Sequence, residues 1–187
     1  MGLGNPGRSY SRTRHNVGFR VVESVAERRA ARPWRSKLHA RISELPGSDA
    51  LLAMPQTYMN LSGESVAALA AYYKVSTRNL LVVCDDVNLP FGRLRMRRSG
   101  SDGGHNGLKS IIGALDSVNF PRLRIGVGRK DGDLIDHVIG AFSKAEEAAL
   151  PDIIARGVAG VETYLDAGID PAIALVNAAG GGLGETE

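Results

Sequence analysis

The period of the hydrophobic positions changes repeatedly along the 187-residue chain, and each change marks an expected element. Over residues 14–31, Val17, Val21, Val22 and Val25 recur at helical spacing, while Glu23, Glu27, Arg28 and Arg29 take the opposite face. Leu38, Ala40 and Ile42 alternate with polar residues, as in a half-buried strand. Pro46-Gly47 is a turn signal and Ala50 to Met54 supplies a second strand, so the pair predicts a hairpin. Residues 62–73 predict a helix with Val66, Leu69, Ala70 and Tyr73 inward and Ser62 as its cap.

Leu80 to Cys84 is a short continuous apolar run, the pattern of a strand covered on both faces, and it stops at Asp85-Asp86. Leu94 and Met96 then alternate with Arg93, Arg95 and Arg97, which predicts a strand with one basic face. A Gly/Ser-rich segment at 99–104 leads into a helix over 106–115, and Leu123, Ile125 and Val127 form the next strand. After a polar loop at 129–133, residues 144–167 predict a long acidic helix that Gly168 stops, and a short helix follows over 170–178. Strands and helices mix without repeats or long linkers. The expectation is one α/β domain over residues 1–180, a twisted mixed β-sheet flanked by helices, with a disordered tail at 181–187.

Composition changes this picture in two ways. No run approaches the roughly 18–20 apolar residues of a membrane span, and no basic-then-apolar leader opens the sequence. A single cysteine, Cys84, cannot form an internal disulfide, so a reducing, cytoplasmic setting is expected. The net charge of +3 hides an asymmetry: residues 1–130 hold 21 Lys/Arg against 9 Asp/Glu, whereas residues 131–187 hold 2 against 11. The two parts carry +12 and −9. Eighteen of the 23 basic residues are arginine, whose planar forks match phosphate oxygens. A polyanionic partner and an ordinary mixed surface both fit this charge pattern.

Gly2-Leu3-Gly4-Asn5-Pro6-Gly7 matches the dinucleotide fingerprint G-x-G-x-x-G, but its context fails. Only Met1 precedes it, Pro6 removes a backbone donor, and no apolar helical stripe opens at Gly7. His15 lies between a basic loop and the first helix, where a lone histidine is more often a satisfied surface or core residue than a catalyst. Asp85, at the end of a buried strand, stands where open α/β sheets bind ligands, and a carboxylate there could fix a histidine tautomer. Asn60 and Asn106 each precede or open a helix and read equally as N-terminal caps. Gly103-Gly104 allows close approach of backbone to a ligand, or only a tight turn. The four histidines lack metal-ligand spacing, one cysteine is too few for a zinc site, and neither a nucleophile elbow nor a phosphate loop is present. Cys84, inside an apolar strand, reads as a small hydrophobe.

Taken together, these segments resemble the bacterial-type peptidyl-tRNA hydrolases. The matching text is Gly2-Leu3-Gly4-Asn5-Pro6-Gly7, Tyr10, Thr13-Arg14-His15-Asn16 and Gly18-Phe19. It continues through Tyr58-Met59-Asn60-Leu61-Ser62-Gly63, Asp85-Asp86, Leu89-Pro90 and Gly92-Arg93. It closes with Gly103-Gly104-His105-Asn106-Gly107-Leu108-Lys109 and Arg122-Leu123-Arg124-Ile125-Gly126, and Asn177 matches near the end. The resemblance implies hydrolysis of the ester joining a peptide to the 3′-terminal adenosine of tRNA, in ribosome rescue and tRNA recycling, by a monomer needing no cofactor or metal. It implies His15 as general base and Asp85 as the carboxylate that orients it. Asn5 would contact the peptide main chain and so separate peptidyl-tRNA from unblocked aminoacyl-tRNA. Asn60 and Asn106 would position substrate and water, and Tyr10, Tyr58 and Met59 would form the tRNA-end site. Arg97, where the family often has lysine, Lys109 and Arg124 would contact phosphates of the acceptor stem. The basic segments at Arg8, Arg12 and Arg14 and from Arg93 to Arg98 would lie along the tRNA path.

Two departures from the family pattern stand out. Only Met1 remains of the apolar strand that normally precedes the glycine turn, so the strand that anchors Asn5 is expected to be shortened. Asp102 adds a negative charge just before Gly103, which is expected to weaken nearby phosphate contacts. A non-catalytic, RNA-binding relative of the splicing-factor type is the alternative reading of the same scaffold.

Overall fold

The computed structural model describes residues 1–129 and 134–178. The expected tail at 181–187 and most of the loop at 129–133 lie outside these residues. The strands form two three-stranded sheets rather than one. In the first, β1 (Arg35–Lys37), β2 (Ala40–Glu44) and β3 (Leu51–Pro55) run antiparallel in that order. In the second, β6 (Arg122–Gly126) is central, parallel to β4 (Val82–Asp86) and antiparallel to β5 (Leu94–Arg97).

Residues 1–3 tie the sheets together. Gly2 N–H donates to Ala53 O of β3 at 3.0 Å, Leu3 N–H donates to Val83 O of β4 at 2.9 Å, and Val83 N–H donates to Met1 O at 2.8 Å. Residues 1–3 thus anchor the Asn5 turn. Gly2 and Gly4 allow close packing. A Cβ on Gly2 would meet Gly18 O of the first long helix at 2.3 Å, and one on Gly18 would meet Val83 O at 2.4 Å. Backbones approach here to distances that no side chain permits.

The predicted helices form at α1 (Val17–Arg28), α2 (Ser62–Tyr73), α3 (Asn106–Leu115), α5 (Lys144–Ala167) and α6 (Ile169–Ala178). α1 buries Val17, Val21, Val22 and Val25 against β4 and α5, each burial stabilising by about 1.5–3 kcal/mol. It starts later than its pattern suggests. Arg14–Asn16 forms a tight 3-10 turn that carries the His15 and Asn16 side chains inward. α5 opens with a capping box between Ser143 and Glu146.

Several local expectations are corrected. Ser62 does not cap α2; its hydroxyl donates to Met59 O at 2.9 Å from inside the first turn. Leu38 is not in a strand. Leu38 and His39 have φ of 48° and 57°, making a two-residue mirror-image turn that swings β1 beside β2. β1, with exposed Arg35 and Ser36, carries no apolar alternation to announce it. α4 (Leu134–Ile139), a six-residue helix with no buried residue, is equally unmarked in the sequence. No described helix is long and apolar enough to cross a membrane.

Candidate active site

Asp85 is the next-to-last residue of the buried strand β4 and is itself 1% exposed. His15, from the 3-10 turn before α1, reaches it: His15 Nδ1 lies 2.8 Å from Asp85 Oδ1 and 3.0 Å from Oδ2. A second histidine approaches from the other side, with His105 Nε2 3.0 Å from Asp85 Oδ1. The two imidazole centroids are 4.9 Å apart. Burial alone would raise the Asp85 pKa, but the two histidines hold its carboxyl well below the usual carboxylate range. Cys84, next to it, is fully buried, and that burial pushes its thiol upward, away from nucleophile chemistry.

His15, Asp85 and His105 offer one ligand atom each within 4.8 Å, the donor types of a metal site. His105 caps α3, its Nδ1 accepting from Gly107 N–H at 3.1 Å and Leu108 N–H at 3.2 Å. In the neutral ring an accepting Nδ1 leaves the proton on Nε2, which donates to Asp85. In that tautomer the set forms a hydrogen-bonded cradle around a carboxylate. The cap position belongs to His105, not to Asn106, which opens the helix with its side chain exposed.

These groups line a cavity of about 80 Å³ together with Asp86, Gly103, Gly104 and Asn106. Val87, Leu134, Ile135 and Val138 add apolar surface to its lining. A larger cleft of about 680 Å³ lies between β3, α2 and α5 and holds none of this chemistry.

Asn5 is placed by a residue that sequence reasoning left without a role. Asn16 Oδ1 accepts from Asn5 N–H and Asn16 Nδ2 donates to Asn5 O, both at 2.9 Å, so one side chain reads both polar groups of the Asn5 backbone. Asn5 Oδ1 accepts from Met59 N–H at 2.8 Å, which leaves its Nδ2 as donor. Met59 is buried beneath the start of α3, where a Cβ on Gly107 would meet its sulfur at 2.5 Å. Tyr10 and the exposed Tyr58 form an edge-to-face pair with centroids 6.4 Å apart. Asn60 is exposed in the turn Met59–Leu61, whose N-terminal position is Tyr58, and it caps nothing.

The arginines divide. Arg97 and Lys109 are exposed. Arg124 is not available as expected. Its side chain is 11% exposed, and it donates to Asp86 Oδ2 at 3.0 Å, Ser101 O at 2.7 Å and Asp102 O at 3.1 Å. Arg122, on the same face of β6, is buried and bonds the carbonyls of Gly100, Ser101 and Val118 while lying 4.2 Å from the Phe120 ring centre. Burial and the charge of Arg124 pull Arg122 down to about 10. Together these two clamp the 100–104 loop that delivers His105. Asp102 belongs to the same device: its Oδ1 accepts from Gly104 N–H at 2.8 Å, an Asx turn, which engages the unexpected charge within the loop. Arg14 is also turned inward, donating to Ala141 O at 2.8 Å and to Glu146 at 2.7 Å.

A buried carboxylate orienting a histidine beside a set of asparagine amides is the equipment of a hydrolase that activates water. Its relatives specify which. The sequence profile of the family described as peptidyl-tRNA hydrolase matches residues 1–181, and the chain belongs to that family. The peptidyl-tRNA hydrolase of Chloroflexus aurantiacus is 48% identical over 182 residues, covering 95% of this chain and 97% of that one. That of Roseiflexus sp. (strain RS-1) is 50% identical over 183 residues, covering 95% and 84%. The crystal structure of peptidyl-tRNA hydrolase from Acinetobacter baumannii superposes with a TM-score of 0.88 at 32% identity, covering 95% and 92%.

Proposed function

We propose that this site hydrolyses peptidyl-tRNA with His15 as general base and without a metal. The carrying observation is the His15–Asp85 contact within the cavity. With Nδ1–H donated to Asp85, the lone pair of His15 is on Nε2, in a residue that lines the cavity. There it takes a proton from water as the water oxygen bonds to the ester carbonyl carbon. The resulting oxyanion accepts from amide donors, for which Asn106, which lines the cavity, is the first candidate and Asn60 the further one. Collapse breaks the bond to the ribose oxygen, and the proton on His15 passes to that leaving oxygen. The products are a peptide carboxylate and tRNA with a free 3′ end.

Asn5 Nδ2 donates to a carbonyl of the peptide main chain, and the fixed Oδ1–Met59 bond orients it. Tyr10 and Tyr58 offer π-faces to the terminal base, and Arg97 and Lys109 meet acceptor-stem phosphates. Arg124 shapes the loop between them rather than touching phosphate.

The test is release of labelled peptide from N-blocked aminoacyl-tRNA. His15→Ala should lower kcat by about 10²–10⁴-fold with substrate binding retained. Equal release by His15→Ala and the unaltered protein would remove the base assignment.

A further inference from the structure

We infer that His105 is a positioning residue for the reaction, a link that ties the helix bearing Asn106 and Lys109 to the catalytic carboxylate. This rests on the hydrolase reading above. Every hydrogen-bonding atom of the ring has a partner: Nδ1 accepts from Gly107 N–H and Leu108 N–H, and Nε2 donates to Asp85 Oδ1. The helix cap therefore dictates the tautomer, and the tautomer dictates that His105 gives a proton to Asp85 and never takes one from it. Asp85 Oδ1 is held between two ring N–H groups, from His15 and His105, at 2.8 and 3.0 Å. A carboxylate gripped on one side only can rotate. Gripped on both, it presents a fixed edge to His15 and keeps the proton of that ring on Nδ1.

The same arrangement tempers the carboxylate. The His105 donor bond spreads the Asp85 charge, so His15 meets a weaker anion than it would alone. The other charged and titratable groups around His105 are few. Asp86 and His15 share its cavity. Asp102 O accepts from His105 N–H at 3.2 Å, and Arg124 bonds both Asp86 and Asp102 O. Lys109 N–H donates to His105 O, with its side chain exposed.

Asparagine in place of His105 separates the two roles. It retains a good cap acceptor for α3 but is too short to reach Asp85. In His105→Asn, thermal stability should stay near that of the unaltered protein, while kcat for peptide release falls about 10- to 100-fold at little-changed KM. The acid limb of the pH–rate profile should move to higher pH, because Asp85, having lost one donor, binds the protonated form of His15 more strongly. His105→Ala should show the same kinetics and a lower Tm. If His105→Asn keeps both the kcat and the acid limb of the unaltered protein, His105 is only a helix cap and the inference falls. ¹⁵N spectra of the histidine rings test it independently of activity: His105 should carry its proton on Nε2 and His15 on Nδ1. A proton on Nδ1 of His105 would overturn the inference, whereas an inactive protein with the expected tautomers would count against the hydrolase reading alone.

Discussion

Two arginine-rich regions of this molecule do opposite things. Along the contact of α1 with α5, Arg14, Arg20, Arg28 and Arg29 meet Glu146, Glu147, Glu162 and Asp166, and the positive charge of the first two thirds is neutralised by the acids of the last third. Elsewhere, Arg8, Arg12, Arg97 and Lys109 are exposed and make no ion pair among the described residues. The charge split of the sequence is therefore not a split between two surfaces. Much of the negative helix charge is committed to holding the domain together, and these cations are left open to solvent. Unlike either group, the buried Arg122 and the largely covered Arg124 are bonded into the framework of the site loop.

The largest test of this division is Arg124→Ala. It leaves Asp86 buried without its partner, and breaking such a pair typically costs about 3–5 kcal/mol. The urea midpoint should fall sharply, and peptide release should fall with it because the loop bearing His105 loses its clamp. An unchanged urea midpoint with a reduced dependence of tRNA binding on salt would put Arg124 on phosphate after all. Next comes Arg97→Ala with Lys109→Ala. Removing each cation from its phosphate should flatten the slope of log affinity against log salt by about 0.7–0.9, with thermal stability unchanged. Smallest is Arg29→Ala, whose pairs with Glu162 and Asp166 are partly solvated. It should cost about 0.2–1 kcal/mol, less at high salt, and leave tRNA affinity alone. Weaker tRNA binding in Arg29→Ala would blur the two regions.

Much of the architecture was legible. The valine stripe of α1, the apolar run of β4 and the acidic periodicity of α5 each appear where the pattern puts them, because burial repeats with the period of the element. β1 and α4 were not legible, since neither buries an apolar face. In the site, His15 and Asp85 were legible through the family motif, whereas Asn16 and His105 stand in that motif without an evident task. Their signal was present: His105 stands one residue before a helix, a capping position, but histidine is not among the usual caps. Arg14 and Arg124 were misread for the opposite reason, as an arginine in a motif looks the same whether its fork faces a phosphate or a carbonyl.

By itself, the sequence determined the order and type of most elements, the family, and His15 and Asp85 as the residues to look for. These depend on local periodicity and on residue types that few other groups can replace. Only the tertiary structure decided which cations stay free, which groups face each ring nitrogen, and that His15 and His105, far apart in the chain, close around one carboxylate. Those outcomes depend on hydrogen-bond partners distant in the chain, and a donor or acceptor acquires its role only when folding supplies the atom opposite.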